Sequence, residues 1–340
     1  MEVRTPSPLR AVARRAARGL VRHGHAAAAA LAASACGGSV GPQTTSSTHW
    51  LECSEDSDCN NLGLDVGCGA DGYCANGAGL RLERRPVFAQ EFAEDALDPT
   101  VFGYEVGAGI RNDEPQAYTD RAENVRIEGG ALVLTARAED YEGAAYTSGS
   151  VNTEGRFAFT FGRVEARLAA PSGRGCSTAF WMLPEAPAPA VNTCIDPDPC
   201  YSGTWPAWGD ITIANLQSQV PGQVLGTVSY GVWDEATSSV SHGVFAGEPA
   251  TVVAPEDWHV YAVEWGPARI DWYVDDVRVR TLALPPADLY LPDGVDPFRQ
   301  PFHVRLNLAL GGFDQAPVAA DYPQELRIDW VRVSQWLPPE

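Results

Sequence analysis

Lysine is absent from this sequence: all 24 basic residues are arginines, against 44 acidic residues in a chain of 340. The exclusive use of arginine reflects a compositional bias and says nothing about function. The shortage of positive charge is more informative. Beyond residue 35 the chain carries 18 basic and 43 acidic residues, a net charge of −25. Nucleic acid and anionic membrane surfaces are therefore poor partners for so acidic a surface, and we expect no nucleic-acid partner.

Long apolar runs are also absent after the N-terminus, so no membrane-spanning segment is expected there. The N-terminus has an arginine-rich start that leads into AAAAALAASA and Cys36, the layout of a bacterial export signal. We exclude residues 1–35 from the fold and expect an exported protein. AASAC resembles a lipoprotein-processing site, in which a lipidated Cys36 would hold the protein at the cell surface. Cleavage after an alanine, which would give a secreted protein, is the alternative.

Two segments precede the main domain. Residues 36–50 are small and polar, which predicts a flexible linker. Residues 51–78 form a cysteine-rich module too short to bury a core of its own. In an exported chain its four cysteines favour two disulfides of open pairing, and a zinc site is the rival interpretation. These cysteines are Cys53, Cys59, Cys68 and Cys74. We predict that the module is a spacer or an attachment segment.

Helical periodicity is missing from residue 84 onward. Segments such as ALVLTARAE and FHVRLNLAL place apolar residues at every second position, between turns rich in Gly, Pro, Asn and Asp. This pattern predicts an all-β domain of two packed sheets. The chain has 10 tryptophans. Some will belong to the core, but such a surplus also suits a sugar-binding face, because flat rings stack on pyranose rings.

Nine segments, in order, carry a family resemblance. They are FAQEF (88–92), YTDRAENVRIEGGALVLTAR (118–137), YTSGSVNTEGRFAFTFGRVEARL (146–168), AFWMLP (179–184), WPAWGD (205–210), WHVYAVEW (258–265), WYVDD (272–276), LNLALGG (306–312) and IDWVRV (328–333). Residues 84–336 are thereby similar to glycoside hydrolase family 16, of the laminarinase or endo-β-1,3-glucanase type. The resemblance implies a β-jelly roll of the concanavalin A type, with two antiparallel sheets and an open cleft for β-linked glucans. We expect a monomer that requires no cofactor and binds a β-linked polysaccharide or oligosaccharide.

The catalytic motif of this family is altered. The family reads G-E-I-D-I-M-E where this chain reads GDITIAN, so the nucleophile falls at Asp210, the assisting acid at Thr212 and the acid/base at Asn215. Retaining hydrolysis needs two carboxyl groups about 5–5.5 Å apart. A β-bulge would let all three positions face one side of the sheet. Asn215 cannot protonate a leaving group, a loss of about 100- to 10,000-fold, and the shorter Asp210 withdraws the nucleophile.

The resemblance assigns further roles. It places six residues at substrate-binding positions: Trp205, Trp181, Asn307, Arg163, Arg167 and Ser229, the last in place of a histidine. For Trp181 and Arg167 a core or sheet-surface role is the alternative. Asp329, with backbone carbonyls near Gly129, matches an acid that helps hold a structural calcium ion in many members; an ordinary turn acid is the alternative.

The loop between AFWMLP and WPAW raises two further possibilities. Cys194 and Cys200 are expected to close a small disulfide within it. Its acids Glu185, Asp196 and Asp198 could supply a replacement catalytic acid, or they could be solvated loop charges.

Three functions remain open. The chain could bind β-glucan with little or no hydrolysis, it could be an active endo-β-glucanase that recruits an acid from elsewhere, or it could be a structural or interaction protein at the cell surface. All three motif positions are changed together, which favours the first.

Overall fold

The computed structural model describes residues 56–59, 66–70, 72, 74–76, 83–185, 209–234, 239–246, 249–252, 254–284, 297–312 and 315–337. Several predicted features therefore lie outside the described residues: the export signal and linker, Cys36, Cys53, Cys194, Cys200, Trp205, Asp196 and Asp198. Within the described part of the chain, no helix is both long and apolar enough to cross a membrane.

A small disulfide-bonded module precedes the main domain. It contains a helix α1 (Asp56–Cys59) and an antiparallel hairpin of β1 (Val66–Cys68) and β2 (Cys74–Asn76). A disulfide joins Cys59 to Cys74, and Cys68 is also disulfide-bonded. The disulfide interpretation is thus confirmed for these three cysteines.

One sheet contains eight described strands, numbered in chain order along the molecule. They run in the order β15-β14-β13-β12-β20-β10-β4, and β16 pairs with β14. Their bounds are β4 (Gly103–Tyr104), β10 (Ser150–Asn152), β12 (Cys176–Pro184), β13 (Asp210–Gln217), β14 (Gln223–Asp234), β15 (Ser239–Ala246), β16 (Ala250–Thr251) and β20 (Phe302–Leu310).

The second sheet contains eleven described strands. Nine follow the order β19-β18-β17-β11-β21-β8-β9-β6-β5, with β3 paired to β21 and β7 to β8. Their bounds are β3 (Glu83–Gln90), β5 (Gly107–Ala108), β6 (Gln116–Tyr118), β7 (Val125–Glu128), β8 (Ala131–Tyr141), β9 (Ala144–Ser148), β11 (Gly162–Ala169), β17 (His259–Trp265), β18 (Arg269–Val274), β19 (Val277–Ala283) and β21 (Gln324–Leu337). A short 3-10 helix, Ala319–Asp321, precedes β21.

The core lies between the two sheets, because each central strand turns its apolar alternate residues inward. In β12, Phe180 and Met182 are fully buried, while Ser177 and Trp181, on the opposite face, are partly exposed. The larger sheet contributes residues such as Val164 of β11 to the same apolar cluster. Burial of each such side chain stabilises the sandwich by about 1.5–3 kcal/mol.

The predicted all-β jelly-roll sandwich is confirmed. The described ladders are antiparallel with one exception, since β6 pairs with β9 in parallel.

Candidate functional site

The altered motif lies on β13, and a β-bulge sets its geometry. Trp181 of β12 lies opposite Thr212, whereas Ala179 lies opposite Asn215, so the four residues 212–215 of β13 face only the three residues 179–181 of β12. The ladder to β14 shifts between Thr212 and Asn215 as well. Residues opposite each other in a ladder share a face. Thr212 and Asn215 therefore both face the side that carries Trp181, and the predicted bulge is confirmed.

A tryptophan from the other sheet holds this bulge. A bulge takes backbone groups out of the ladder, and buried carbonyls need another donor. The indole Nε1–H of Trp272, in β18, donates to the carbonyl oxygen of Thr212 at 2.9 Å. Trp272 is itself buried in the core. The alignment of the motif residues thus depends on a contact that crosses the sandwich.

Asp210 begins the strand and is buried. Gly209 precedes it with a φ of 89°, a left-handed conformation that favours glycine, and turns the chain into β13. Across the ladder, Asp210 lies opposite Ser229 of β14, which is buried as well. Where the family resemblance implies a histidine, the ladder neighbour of Asp210 is therefore a hydroxyl, which cannot serve as an acid or a base near neutral pH as an imidazole can.

Asn215 is surrounded by neutral polar groups. Its side-chain amide donates to the hydroxyl of Ser177 at 3.3 Å and accepts from the amide of Gln217 at 2.9 Å. Of the three motif positions, only Asp210 carries a carboxylate, while the other two offer a hydroxyl and an amide. These groups can form hydrogen bonds with sugar hydroxyls, but they do not form a pair of carboxylic acids.

Further along the same face lies a charged cluster that the sequence did not predict. The charged cluster consists of Glu105, Arg111 and Arg305. Arg111 donates two hydrogen bonds to Glu105, at 2.8 and 2.6 Å, and Arg305 donates a third at 2.7 Å. Burial by itself would raise the pKa of Glu105, but the bonds from Arg111 and the charges of both arginines outweigh it and lower the pKa to about 2. Glu105 is thus ionised at neutral pH and cannot act as a general acid.

Trp181 lies next to this cluster. Arg305 is its ladder neighbour in β20. The guanidinium carbon of Arg305 lies over the indole at 5.2 Å from the ring centroid, and that of Arg111 lies over it at 5.3 Å. The indole N–H donates to the Oδ1 of Asn307 at 2.9 Å. The structure therefore brings the predicted residues Trp181 and Asn307 together on the face that carries the motif.

Glu185 is held at the end of β12 near His303. Its carboxylate accepts from the Gly155 backbone amide at 2.6 Å and lies 3.4 Å from His303 Nδ1. Burial, reinforced by the charge of Arg305, lowers the pKa of His303 to about 4, so this histidine is neutral at neutral pH. His303 stands on β20, which β12 separates from β13. Glu185 is thus engaged by groups other than the motif residues.

Arg163 and Arg167 lie on the other sheet. Both belong to β11, where Arg163 contacts Glu165 at 3.0 Å and Asp276 at 2.7 Å. Arg167 contacts Asp329 at 2.6 Å and lies over the Trp258 ring. Their placement near the sugar subsites is therefore corrected. The alternation of β11 gives the two arginines a common face, but it does not reveal which sheet the strand joins.

The residues proposed for calcium do not fit a metal site. The ion pair with Arg167 places a guanidinium where Asp329 would need to face a cation. In the described part of the chain, no group of three or more His, Cys, Asp or Glu side chains is arranged to hold a metal ion. The calcium expectation thus finds no support at Asp329 and Gly129.

The charged cluster left a weak signal in the sequence. Arg305 is the charged residue within the segment FHVRLNLAL. A charged side chain on a buried strand needs an oppositely charged or hydrogen-bonding partner, because an unpaired buried charge is costly. Glu105 directly follows the two-residue strand β4, and Arg111 lies in the turn between β5 and β6, where no periodicity identifies the direction of a side chain.

Comparison with known proteins agrees with this architecture. The family model "Glycosyl hydrolases family 16" matches residues 112–196 and 220–332. The Beta-glucanase of Rhodothermus marinus is 37% identical over 261 residues, which cover 74% of this chain and 85% of that protein. The X-ray structure of the laminarinase from Rhodothermus marinus superposes with a TM-score of 0.61 at 36% identity, and covers 75% of this chain and 99% of that one.

A more distant relative is the Beta-1,3-glucan-binding protein of Penaeus monodon, 26% identical over 221 residues, which cover 56% of each chain. The sandwich of two sheets has the fold of the family 16 glycosyl hydrolases. The chain belongs to glycoside hydrolase family 16. The two matched segments leave out residues 197–219, and this interval contains all three motif positions.

Proposed function

We propose that this protein is exported and binds β-linked glucan with little or no hydrolysis. The observation that carries the proposal is the composition of the face around β13: at the three motif positions, which the bulge aligns, a single carboxylate remains. Asp210 stands at the nucleophile position. No second carboxyl group remains at the three motif positions to protonate the leaving oxygen or to activate water.

Sugar binding needs less than catalysis does. Asp210, Thr212, Asn215 and Ser229 offer acceptors and donors on one face, and hydroxyl-rich ligands are recognised by a few such groups. The membership in family 16 and the printed name of the glucan-binding relative support a glucan as the ligand.

An active endo-β-glucanase is the second candidate. It is favoured by the buried carboxylate of Asp210 at the nucleophile position and by the names of the glucanase relatives. It would require an acid that the three motif positions do not supply.

Calorimetric titration of the purified full chain with β-1,3-linked glucose oligosaccharides tests the binding proposal. We expect a dissociation constant in the range of about 1 μM to 1 mM. Asn215→Ala should weaken binding by about 2- to 10-fold, the equivalent of one lost hydrogen bond. Gln335→Ala, which removes an amide on β21 of the other sheet, is the control and should leave the constant unchanged. Absence of measurable heat with the wild-type chain would contradict the proposal and favour a structural role.

A further inference from the structure

Trp181 occupies an unusual position for a sugar-stacking residue. An aromatic platform needs a free ring face against which a pyranose can pack. Here both guanidinium carbons lie over the indole, at 5.2 and 5.3 Å from the ring centroid, close enough for cation–π attraction.

The groups that lie over the ring are fixed in place. The two arginines share the carboxylate of Glu105, which also accepts from the hydroxyl of Ser150 at 2.9 Å. The side chain of Arg305 is only 7% exposed and that of Arg111 23% exposed. Movement of either guanidinium would break its charged hydrogen bonds to Glu105 in a partly desolvated environment. A neutral sugar cannot replace these bonds at equal strength.

The indole of Trp181 is also fixed in place by hydrogen bonds. Its N–H donates to Asn307, whose amide donates in turn to the phenol oxygen of Tyr118 at 3.0 Å. Tyr118 is buried. A rotation of the ring away from the arginines would break this chain of hydrogen bonds.

The charges around Trp181 leave no excess of positive charge. Glu105 lies between the two arginines, and Glu154 lies 3.6 Å from Arg305. A third carboxylate, that of Glu114, accepts from the Tyr118 hydroxyl at 3.4 Å and acts on Arg111, so the two arginines are matched by at least as many acids and offer no net attraction to an anionic ligand. The remainder of this acidic chain would repel such a ligand as well.

We propose that the charged cluster covers Trp181 and closes this part of the face to sugar, so that glucan is confined to the region of Asp210, Asn215 and Ser229. Arg111 and Arg305 thereby determine specificity, because they limit how many sugar units the face accepts. This inference rests on the proposed binding function.

Arg111→Ala tests it directly. Arg111 is the more exposed of the two arginines, and Glu105 keeps its bond from Arg305 in the variant. Titration with β-1,3-linked glucose oligosaccharides of increasing length should show tighter binding of the longest ones by at least about fivefold, since part of the indole becomes available. Trp181→Ala alone should change the constant by less than about twofold, but in the Arg111→Ala background it should remove the gain.

Arg332→Ala is the matched control. Arg332 also lies over a tryptophan, Trp330, and forms two hydrogen bonds with a glutamate, Glu91, but it stands on β21 of the other sheet. It should leave sugar binding unchanged. Thermal melting of each variant confirms that it is folded.

The outcomes separate this inference from the proposed function. Sugar binding by the wild-type chain that weakens in Arg111→Ala, or falls more than fivefold in Trp181→Ala, overturns the inference and leaves the binding function intact. Binding by Arg111→Ala but not by the wild-type chain supports the cover and contradicts the binding function. Absence of binding by both proteins overturns both.

Discussion

Asp210, Thr212 and Asn215 occupy one face of β13, and the chemistry of these three side chains limits what the protein can do. Asp210 keeps a carboxyl group, but this group is one methylene closer to the backbone than that of glutamate. Asn215 offers an amide, which neither donates a proton as an acid nor accepts one as a base. Misplacement of a reacting group by about 1 Å costs about 100-fold, and loss of a general acid costs at least as much.

Restoration of the three acids is the first prediction. The variant Asp210→Glu, Thr212→Asp, Asn215→Glu should cleave β-1,3-linked glucose oligosaccharides at least about 100-fold faster than the wild-type chain, because it supplies the paired carboxyl groups that retaining hydrolysis needs. Reducing-end release measures the rate. The same variant with Asn215→Gln, which adds length without acidity, is the control. Equal rates for the two variants would contradict the prediction, because they would show that an acid at position 215 does not limit cleavage.

At the scale of the element, the bulge in β13 decides which side chains lie on the same face as Trp181. A shift of one residue in a strand moves every following side chain to the opposite face. The hydrogen bond from Trp272 to Thr212 fixes the irregular backbone at this point. Trp272 belongs to the larger sheet, so the motif is aligned by the packing of the whole sandwich.

Replacement of this tryptophan tests that dependence. Trp272→Phe keeps an aromatic ring but leaves the carbonyl of Thr212 without its donor. A buried polar group deprived of its partner costs about 1–3 kcal/mol. Trp265→Phe is a matched control, because Trp265 is equally buried and its indole nitrogen has no hydrogen-bond partner among the described residues.

Urea unfolding of both variants gives the difference. The free energy of unfolding should fall by about 1–3 kcal/mol more in Trp272→Phe than in Trp265→Phe. Equal losses would indicate that only the change in ring volume matters.

The strands and the bulge could be predicted from the sequence for different reasons. Alternation of apolar residues identifies strands directly, as in β12 and β20. The bulge followed from the spacing of the motif together with the need for its polar residues to share a face. The contacts of Arg163 with Asp276 and of Arg305 with Glu105 could not be predicted, because these partners are remote in the chain. Glu105, for example, lies 200 residues from Arg305.

The whole molecule combines a family 16 sandwich with a face on which the three motif positions carry a single carboxylate, that of Asp210. Its net charge of −20 disfavours polyanions and is compatible with neutral polysaccharides. The core does not depend on which side chains stand at the motif positions, because the apolar residues of β13 alternate with the motif residues and pack inward. The same fold can therefore carry different chemistry on this face.

The most direct test of this account is the fate of the substrate on the unaltered full-length protein. The purified chain is incubated for days, at high protein concentration, with β-1,3-linked glucose oligosaccharides beside an Asp210→Ala variant, and the products are identified by mass spectrometry. We predict that the wild-type chain gives no more cleavage than the variant. Cleavage by the wild-type chain that Asp210→Ala abolishes would contradict the account, and would show that Asp210 works with an acid supplied from outside the three motif positions.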